Sequence, residues 1–550
     1  MKTYTNPVFP YHRAPELDGV ARHRGVVIVG AGPVGLAAAI DFAQRGIPVL
    51  VLDDDDTVSV GSRAICYAKR TLEILDRLGC GDAIAGKGVS WNVGKVFHGD
   101  RLAYQFDLLP EPGHHRPAFV NLQQYHFEEQ LVRRVDALPA AEIRWKHRVV
   151  KVERGDENVT LRVATHDGDY SLTCDWLIVC DGARSPVRHL LGLDTEGQVF
   201  HDRFLIADIH MTSDFPTERW FWFDPPFHPN QSVLLHRQAD DVWRIDFQLG
   251  WDADPEKEKQ PENILPRLRA MLGANARFEI EWASVYTFQC RRMQKFRHGR
   301  VLFAGDAAHL VSPFGARGAN SGVQDVDNLV WKLDLVMRGL APESLLDSYD
   351  EERIAAADEN ILNSTRATDF ITPKSAVSRT FRDATLALSR HHAFARKLVN
   401  SGRLSVPKIL AASSLNTPDH DVIAGAMVPG APAADAPVTG PRGDWLMQHL
   451  DGGFNLLVFG GAVSPIAARD LAQHQVPCSV VQVGGMAHEG RVLIQDKDRL
   501  LAKRYDAQPN TCYLFRPDQH VCARWRRFDA AAVRRAIARA TGTAGDSAKP

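Results

Sequence analysis

One stretch, residues 26–53, constrains the fold of this chain more than any other. An apolar run (VVIV) leads into the pattern GAGPVG, then into a helical pattern and a second apolar run (VLVL) that ends on Asp53. Gly30, Gly32 and Gly35 permit a tight turn, close approach of a pyrophosphate to a helix N-terminus, and close packing of helix on strand. Asp53 stands where a partner for a ribose hydroxyl belongs. The stretch predicts a dinucleotide-binding βαβ unit; a glycine-rich turn without a ligand is the alternative.

Two further apolar runs end on an acid and a glycine. WLIVC stops at Asp181-Gly182, close to Arg184, and VLFA stops at Gly305-Asp306. An Asp that follows a strand can accept hydrogen bonds from sugar-like hydroxyls, although Asp-Gly alone is a common turn. After Asp306 comes a glycine-punctuated loop, and a helical pattern begins at Val323. Glycines and a helix N-terminus suit a flat, polar-edged and hydroxylated ligand.

Two polar side chains outside these turns are candidates for the same ligand. Arg63 precedes a helical pattern and could contact a diphosphate with two nitrogens, or could cap its own loop. A strand gives way to a helix at residues 120–124, where an amide side chain could reach the ligand. We favour Gln124 over Gln123 because Leu131 falls two turns later on that side.

The bulk properties favour a small-molecule partner. A chain of 550 residues exceeds a single core, and its formal net charge of -2 points neither to nucleic acid nor to an anionic membrane. The eight cysteines form no CxxC pair, and no apolar segment has the length and pattern of a signal peptide or a membrane span. A reduced, cytoplasmic setting is expected.

The order of patterns predicts an α/β fold in several parts. Antiparallel-looking strands rich in aromatics follow residue 200, and a stretch rich in Pro, Ala and Gly precedes a compact β/α pattern near the C-terminus. The predicted parts are an N-terminal arm (1–24), a ligand-binding domain (25–199), an inserted sheet domain (200–290), a continuation of the binding domain with helices (291–415), a linker (416–443) and a C-terminal domain (444–550).

The three motifs, in this order, resemble those of the class A flavoprotein aromatic hydroxylases. GAGPVG with Asp53, the DG motif at Asp181 and the GD motif at Asp306 carry the resemblance, which covers roughly residues 25–400. Within the group, the chain looks like the 3-(3-hydroxyphenyl)propionate hydroxylase and substituted-phenol or nitrocatechol monooxygenase branch. Its terminal domain resembles the thioredoxin-like domain of phenol hydroxylases, here without CxxC. The resemblance implies a Rossmann-like FAD-binding domain with an inserted antiparallel β-sheet substrate domain and a C-terminal thioredoxin-like domain.

The resemblance also implies roles for individual residues. Three glycines would line the FAD pyrophosphate, and Asp53 would hold the adenosine ribose. Arg63 and Gln124 would contact the phosphate–ribityl region, and Asp306 would bind the ribityl chain. Asp181 and Arg184 would belong to the region associated with cofactor and NAD(P)H handling. The loop 313–320 would lie against the isoalloxazine, with backbone N–H groups near its pyrimidine edge. The implied FAD-binding residues are Gly30, Gly32, Gly35, Asp53, Arg63, Gln124, Asp181, Gly305, Asp306, Pro313, Gly318, Ala319 and Asn320.

By the same resemblance, NADH or NADPH reduces the flavin, O₂ reacts with it, and a flavin C4a-hydroperoxide hydroxylates a phenol or catechol, with loss of a substituent such as nitro left open. A basic or cationic group near the phenol would assist. His236 and Arg244, which interrupt apolar strand patterns, are the catalytic candidates, and a structural role is the alternative for each. Tyr286 and Phe288 could line the pocket or simply pack in the core.

Two rival functions stay open. A flavin-dependent halogenase is one, because Trp220-Phe221-Trp222-Phe223-Asp224-Pro225 partly matches W-x-W-x-I-P, with Asp224 in place of Ile. A flavin-binding sensor without turnover is the other, although no partner-binding module accompanies the flavin motifs. For partners we expect a small aromatic substrate and O₂, no nucleic acid and no membrane, and we allow for a homodimer.

Overall fold

The computed structural model describes residues 4–20, 22–61, 63–399, 404–461, 463–486 and 488–544. The outer ends of the predicted N-terminal arm and C-terminal domain, residues 1–3 and 545–550, lie outside the described residues. The described chain forms strands and helices that alternate in the first third, then mostly strands, then mostly helices, and finally a small mixed unit.

The strands, in chain order, are β1 His23–Val29, β2 Val49–Leu52, β3 Cys66–Ala68, β4 Val89–Trp91, β5 Val93–His98, β6 Arg101–Asp107, β7 Phe119–Asn121, β8 Ala141–Arg144, β9 Arg148–Arg154, β10 Val159–Thr165, β11 Gly168–Val179, β12 Glu196–His210, β13 Arg219–Phe223, β14 Ser232–Arg237, β15 Val242–Leu249, β16 Glu279–Arg292, β17 Arg297–His298, β18 Val301–Phe303, β19 His309–Leu310, β20 Pro437–Gly440, β21 Gly443–Trp445, β22 Phe454–Phe459, β23 Cys478–Val483, β24 Arg491–Ile494, β25 Cys512–Phe515 and β26 Val521–Trp525.

The α-helices are α1 Pro33–Gln44, α2 Lys69–Leu78, α3 Gly81–Lys87, α4 Gln124–Asp136, α5 Pro186–Leu190, α6 Pro255–Glu258, α7 Pro261–Leu272, α8 Gly318–Met337, α9 Asp347–Ile371, α10 Ala376–Ser389, α11 Ala393–Leu398, α12 Pro465–Ala472, α13 Leu500–Arg504 and α14 Ala530–Ala540. Short 3-10 helices cover Pro15–Asp18, Gly305–Ala307, Glu343–Leu346 and Leu446–His449.

The first sheet is built on a parallel core, in the order β17-β18-β11-β1-β2-β8, with β9 and β10 added antiparallel beside β11. Its central strands are continuous apolar runs, as expected where helices or other layers cover both faces of a sheet. The register pairs Val29 with Leu52 and with Val179, and Val179 with Phe303. All four strands therefore end at one level, and the turns that follow them meet at the same edge.

Helices α1 and α8 pack closely beneath that edge. A Cβ on Gly322 would lie 2.6 Å from Cγ2 of Val34 and 3.1 Å from Cα of Gly305, so α8 can approach α1 only without a side chain at this position. The sequence predicts a loop up to Gly322 and a helix from Val323, and this boundary is wrong. The helix begins at Gly318, so Gly322 lies inside it and permits close helix packing instead of loop flexibility.

The second sheet is mostly antiparallel and has two chemically different faces. Its order is β19-β16-β12-β15-β14-β13-β5-β6. One face is apolar and packs on α7, where Ile264 and Leu268 are buried. The opposite face carries charged and aromatic side chains. Strands β5 and β6 come from residues 93–107, outside the predicted range 200–290, because the parallel pairing of β13 with β5 joins segments more than 100 residues apart.

The C-terminal unit has a five-stranded sheet in the order β24-β23-β22-β25-β26. The first three strands are parallel, the last two antiparallel, and α12 and α14 pack on the sheet. A βαβ unit beside a β-hairpin and a terminal helix is the thioredoxin-like arrangement. Its cysteines Cys478, Cys512 and Cys522 are buried and unbonded, and burial raises the pKa of each thiol.

Buried charges join this unit to the rest of the chain. Glu352 of α9 accepts hydrogen bonds from Lys332 of α8 (2.8 Å) and from Arg516 (2.5 Å), and Arg516 also pairs with Asp518 (2.7 Å). All four side chains are fully buried. Burial lowers the pKa of Lys332 to about 8. Buried ion pairs therefore connect this unit to α8 and α9.

Residues 416–443, predicted to be a linker, contain β20 and the buried side chains Ile423, Met427 and Ala431, which pack in the core of the C-terminal unit. The placement of domain boundaries stays a prediction. Among the described residues, every helix is too short or too polar to cross a membrane.

Candidate active site

A cavity of about 910 Å³ lies where the converging strand ends of the first sheet meet the charged face of the second. Both catalytic candidates and all but two of the predicted FAD-binding residues line it. The cavity is lined by Gly30, Gly32, Asp53, Arg63, Gln124, Asp181, Arg184, Asp306, Pro313, Gly318, Ala319, Asn320, His236, Arg244, Tyr286 and Phe288. Gly35 and Gly305 do not line it; they pack directly behind the lining residues.

The glycine turn after β1 is shaped by backbone contacts. Gly30 has φ +105°, and a Cβ there would lie 2.4 Å from the carbonyl oxygen of Cys180. A Cβ on Gly35 would lie 1.9 Å from the carbonyl oxygen of Gly30. At Gly32, the N-cap of α1, a Cβ would meet no atom within 4 Å and would project into open space. The turn therefore leaves room for a ligand against the first N–H groups of α1.

Two strand-end carboxylates face the cavity from neighbouring turns. Asp53 accepts hydrogen bonds from the backbone N–H of Ala31 (2.5 Å) and of Asp55 (2.8 Å). Asp181 accepts from the N–H of Val187 (2.9 Å) through Oδ2, and its buried Oδ1 has no partner among the described residues. Burial raises the pKa of each carboxyl to about 6. A hydroxylated ligand would supply the hydrogen-bond donor that Oδ1 of Asp181 lacks.

Asp306 is held in place by residues that the sequence analysis did not single out. Its side chain is exposed to the cavity, yet the protein around it raises its pKa by desolvation. The turn is fixed by Asp325 of α8, which accepts from the N–H of Gly305 (2.9 Å), from His309 (2.7 Å) and from Arg353 (2.7 Å). The spacing of Asp325 from the GD motif carries no recognisable signal, so only the fold reveals this network.

Gln124, the first residue of α4, is hydrogen-bonded to the loop that carries Arg63, and both residues line the cavity. The side chain of Gln124 accepts a hydrogen bond from the N–H of Ala64 (2.8 Å) and donates one to Glu128 (2.8 Å). Gln123 instead donates to the carbonyl oxygen of Ala239 (3.0 Å) and lies outside the cavity lining. Of the two amides, Gln124 is therefore the one placed to contact a ligand.

The segment 313–320 is part loop and part helix. Pro313 lies in the loop, whereas Gly318, Ala319 and Asn320 form the first turn of α8. The buried amide of Asn320 accepts from the N–H of Ala68 (2.8 Å) and donates to the carbonyl oxygens of Cys66 (2.8 Å) and Ala316 (2.6 Å). Its side chain thus fixes the helix end, and the unpaired N–H groups of the first turn remain for a ligand.

The charged face of the second sheet contributes a group that we call the charged cluster. It consists of Asp208, Arg219, His236, Arg244 and Asp246, which lie on four adjacent strands and are each at most 6% exposed. Arg244 donates to both carboxylate oxygens of Asp208 (2.8 and 3.0 Å) and to the carbonyl oxygen of Arg63 (3.2 Å). Arg244 therefore links the sheet to the loop that carries Arg63.

The predicted residue His236 is neutral at physiological pH. Burial, followed by the charges of Arg219 and Arg244, lowers the pKa of its imidazole well below the usual value. Its Nδ1 has no hydrogen-bond partner among the described residues. The structure thus offers a neutral imidazole to a ligand in the cavity and not a cation.

Asp246 and Arg219 are two members of the charged cluster that the sequence analysis missed. Burial raises the pKa of Asp246 to about 7, and Oδ1 of this residue has no partner among the described residues. In β15 it lies two positions after Arg244, on the same face of the strand. That period-two spacing is the signal that would have found it.

Aromatic rings form the wall beside this cluster. Phe204, Phe288 and Phe314 meet with centroid separations of 4.8 to 5.2 Å, and Tyr286 lies 5.0 Å from Phe288. Tyr286, Phe288 and Phe314 line the cavity. Such a wall suits a flat aromatic ligand next to polar groups.

The residues present fit FAD. Backbone N–H groups at two helix starts suit a pyrophosphate and a polar ring edge, and the strand-end acids suit ribose and ribityl hydroxyls. The glycine cradle and the unsatisfied Asp181 Oδ1 are the observations of the structure that support the fit. When bound, FAD would supply the redox and oxygen chemistry that side chains do not provide. Among the described residues, no cluster of three or more His, Cys, Asp or Glu could hold a metal ion.

Comparison with known proteins gives consistent results. The family model for the FAD binding domain matches residues 24–364. The chain is 30% identical over 366 residues to a 3-(3-hydroxy-phenyl)propionate/3-hydroxycinnamic acid hydroxylase of Mycolicibacterium smegmatis, which covers 65% of this chain and 63% of that protein. It is 32% identical over 339 residues to the para-nitrophenol 4-monooxygenase of Pseudomonas sp. strain WBC-3, which covers 60% of this chain and 82% of that protein.

The fold as a whole also has a solved counterpart. The flavin-dependent monooxygenase PieE, crystallised with FAD and substrate, superposes with a TM-score of 0.80 at 22% identity, over 95% of this chain and 99% of that one. This likeness confirms the predicted architecture, including the C-terminal unit. With the family match over more than half of the residues, the chain belongs to the FAD binding domain family and, as its sequence motifs predict, to the FAD-dependent aromatic hydroxylases.

Proposed function

We propose that this protein is a monooxygenase that uses FAD, NAD(P)H and O₂ to hydroxylate a phenolic or catecholic ring. The observation that carries the proposal is that one cavity brings the glycine turn and the strand-end acids together with a charged, aromatic sheet face. The relatives named as a phenylpropionate hydroxylase and a nitrophenol monooxygenase support the substrate class.

In this proposal, the first sheet holds the cofactor. Gly30, Gly32 and Gly35 give the pyrophosphate its approach to α1, and Asp53 accepts from the adenosine ribose. Arg63 and Gln124 face the phosphate and ribityl region. The remaining cofactor contacts are Asp181, Asp306, Pro313, Gly318, Ala319 and Asn320, and Gly305 packs behind them in the turn that carries Asp306. Water is excluded from the reacting ring by the aromatic wall.

The second sheet orients the substrate. The neutral imidazole of His236 can exchange a hydrogen bond with a ring substituent, and Asp208 fixes the guanidinium of Arg244 in the cavity lining. Arg244 acts mainly by position, because its nitrogens already engage Asp208 and the Arg63 carbonyl. Expulsion of a ring substituent such as nitro is a variant of the same reaction.

A panel of substituted phenols and catechols tests the proposal. Purified protein should be yellow, retain FAD, and oxidise NADH or NADPH with matching O₂ uptake only when a suitable phenol is present. Nitrite or halide release would identify substituent loss, and a chloride-dependent halogenated product would instead support the halogenase alternative. Protein that binds FAD but shows no phenol-stimulated O₂ uptake with any member of the panel would contradict the proposal.

A further inference from the structure

We propose that Asp246 accepts the proton of the substrate's phenolic hydroxyl group, so that the hydroxyl and not a ring carboxylate enters the charged cluster. This inference rests on the proposed function and deepens it. It assigns a catalytic residue on β15, together with the orientation of the ring that the residue requires.

Asp246 is the acid of the cluster that has capacity for a ligand. Both carboxylate oxygens of Asp208 are bound by Arg244, at 2.8 and 3.0 Å. Asp246 lines the cavity, is 6% exposed, and has an Oδ1 with no hydrogen-bond partner among the described residues. A buried, unsatisfied carboxylate oxygen is costly unless a ligand provides a donor. A phenolic O–H is such a donor.

The neighbours of Asp246 suit an aromatic ring. Across the sheet it is paired with Ile206 on β12 and Leu234 on β14, and both of these line the cavity. The wall of Tyr286, Phe288 and Phe314 borders the same cavity. A ring can therefore contact apolar surface while its hydroxyl group reaches the carboxylate.

The charges of the cluster balance when a proton moves. With Asp246 ionised, two guanidinium groups face two carboxylates, and a neutral phenol adds no charge. When the phenolic O–H bond breaks, its electron pair stays on the phenol oxygen and the proton bonds to Asp246. The sum of charges is zero before and after the transfer. A substrate carboxylate at this place would add an uncompensated negative charge, which a buried site disfavours.

No oxidant or reductant takes part in this step. After ring hydroxylation, the proton on Asp246 returns to the phenolate oxygen of the product, and the carboxylate is restored. Asp246 thus acts first as a general base toward the substrate and then as a general acid toward the product.

The protonation behaviour of Asp246 agrees with this role. Burial raises its pKa to about 7; Arg244 and Arg219 oppose the increase, and Asp208 adds to it. The titratable or charged groups around it are Arg244 on its own strand, Asp208 on β12, Arg219 on β13, His236 on β14, Tyr286 on β16 and Cys66 on β3. Above about pH 7 the carboxylate predominates and can accept a proton.

Proton uptake on ligand binding tests the proposal without turnover. The FAD-loaded protein is titrated with 4-nitrophenol in weak buffer at about pH 8, with no NAD(P)H, while a pH indicator reports protons. In the wild type, ionised probe and ionised Asp246 must share one proton, so we expect uptake of about one proton per probe bound. Asp246→Asn should bind the probe with no uptake.

A matched substitution controls for the loss of one acid. Asp241→Asn changes an exposed acid that pairs with Arg237 at the end of the same hairpin, at φ +54°, which Asn tolerates. This variant should take up protons as the wild type does. Equal uptake by Asp246→Asn and the wild type, no uptake by the wild type, or no saturable probe binding would overturn the proposal.

Turnover across phenols of graded acidity separates a base from a structural residue. With weakly acidic phenols near neutral pH, Asp246→Asn should lose about 10²-fold or more in kcat. The loss should shrink for acidic phenols and at high pH, where the substrate is already ionised. An equal loss for every phenol would show a structural role. If the wild type fails with all phenols, the proposed function fails, whereas the proton-uptake result still stands by itself.

A measurement on the wild type covers the case in which Asp246→Asn does not fold. The kcat/KM of the wild type for a weakly acidic phenol should rise with pH through about 7, where Asp246 ionises. A flat profile through this range would overturn the assignment.

Discussion

The two halves of the cavity are built in different ways. At the cofactor edge, turns after parallel strands shape the site with backbone groups, and a Cβ on Gly30 would lie 2.4 Å from the carbonyl oxygen of Cys180. On the substrate face, side chains of four antiparallel strands supply the chemistry, and the charged cluster is held by ion pairing. The first half depends on strand register and the second on which side chains share a face. Substitutions in the first half should therefore affect stability and FAD binding, and those in the second half should affect catalysis.

Removing the Asp325 carboxylate, which fixes the turn at the cofactor edge, should have the largest effect on stability. Asp325→Ala removes the acceptor for the Gly305 N–H, His309 and Arg353, and leaves a buried guanidinium without its partner. We expect a loss of about 3–5 kcal/mol in the free energy of unfolding. Chemical denaturation measures it. Asp358→Ala, which breaks an exposed pair with Arg292, is the control and should cost about 1 kcal/mol or less.

Gly30→Ala should separate strain from steric contact at the same edge. A Cβ there meets the Cys180 carbonyl, whereas at Gly192, which also has positive φ, it would meet no atom within 4 Å. Both changes incur about 1–3 kcal/mol of backbone strain, and only Gly30→Ala adds about 1–3 kcal/mol of overpacking. FAD affinity, measured by flavin fluorescence, should fall about tenfold or more in Gly30→Ala alone. Equal affinities would show that the close contact does not matter.

Asp181→Asn should stabilise the protein after FAD has been removed. The folded pKa of Asp181, about 6, exceeds the unfolded value of about 3.9, so the ionised carboxylate destabilises the fold above about pH 6. The variant should be more stable by about 1–3 kcal/mol near pH 7, and this advantage should disappear as the pH falls from about 6 to about 4. Thermal melts across this range test it. An advantage that does not depend on pH would contradict the carboxylate explanation.

Tyr286→Phe should have the smallest effect, which would distinguish the role of this tyrosine from that of Asp246 on the substrate face. Burial raises the pKa of this phenol well above 10, so the hydroxyl stays protonated and cannot act as a base. We expect a change in kcat/KM of about threefold or less, less than about 1 kcal/mol. Steady-state kinetics with the best phenol measures it. A loss as large as that in Asp246→Asn would move the catalytic proton transfer from the sheet carboxylate to the aromatic wall.

The contrast between the halves also explains what the sequence could predict. Strands that end on Gly30, Asp53, Asp181 and Asp306 carry local signals, since each turn directly follows its apolar run. Their convergence follows from parallel pairing. The α/β architecture and the cofactor FAD could therefore be predicted from the sequence, whereas the individual contacts with FAD stay predictions.

Non-local features were not accessible in the same way. The pairing of β13 with β5 and the network around Asp325 join residues with no sequence relation that a pattern can detect. The pattern places the start of α8 at Val323, too late by five residues, because glycine normally disfavours helix interiors. In the structure the missing side chain of Gly322 permits close packing against Val34 inside the helix. Asp246, in contrast, could be predicted from the sequence, because it follows Arg244 by two positions in the same strand pattern.

The buried ion pairs between α8, α9 and the C-terminal unit have a consequence for how the chain can be divided. Helix α8 begins at the cavity, and near its other end Lys332 meets Glu352, which Arg516 of the thioredoxin-like unit neutralises. Removing that unit would expose the apolar face around Trp331 and leave Glu352 with half of its positive partners. The thioredoxin-like unit, which has no CxxC dithiol, therefore stabilises the helix that begins at the cavity. The rest of the chain is not expected to fold stably without it.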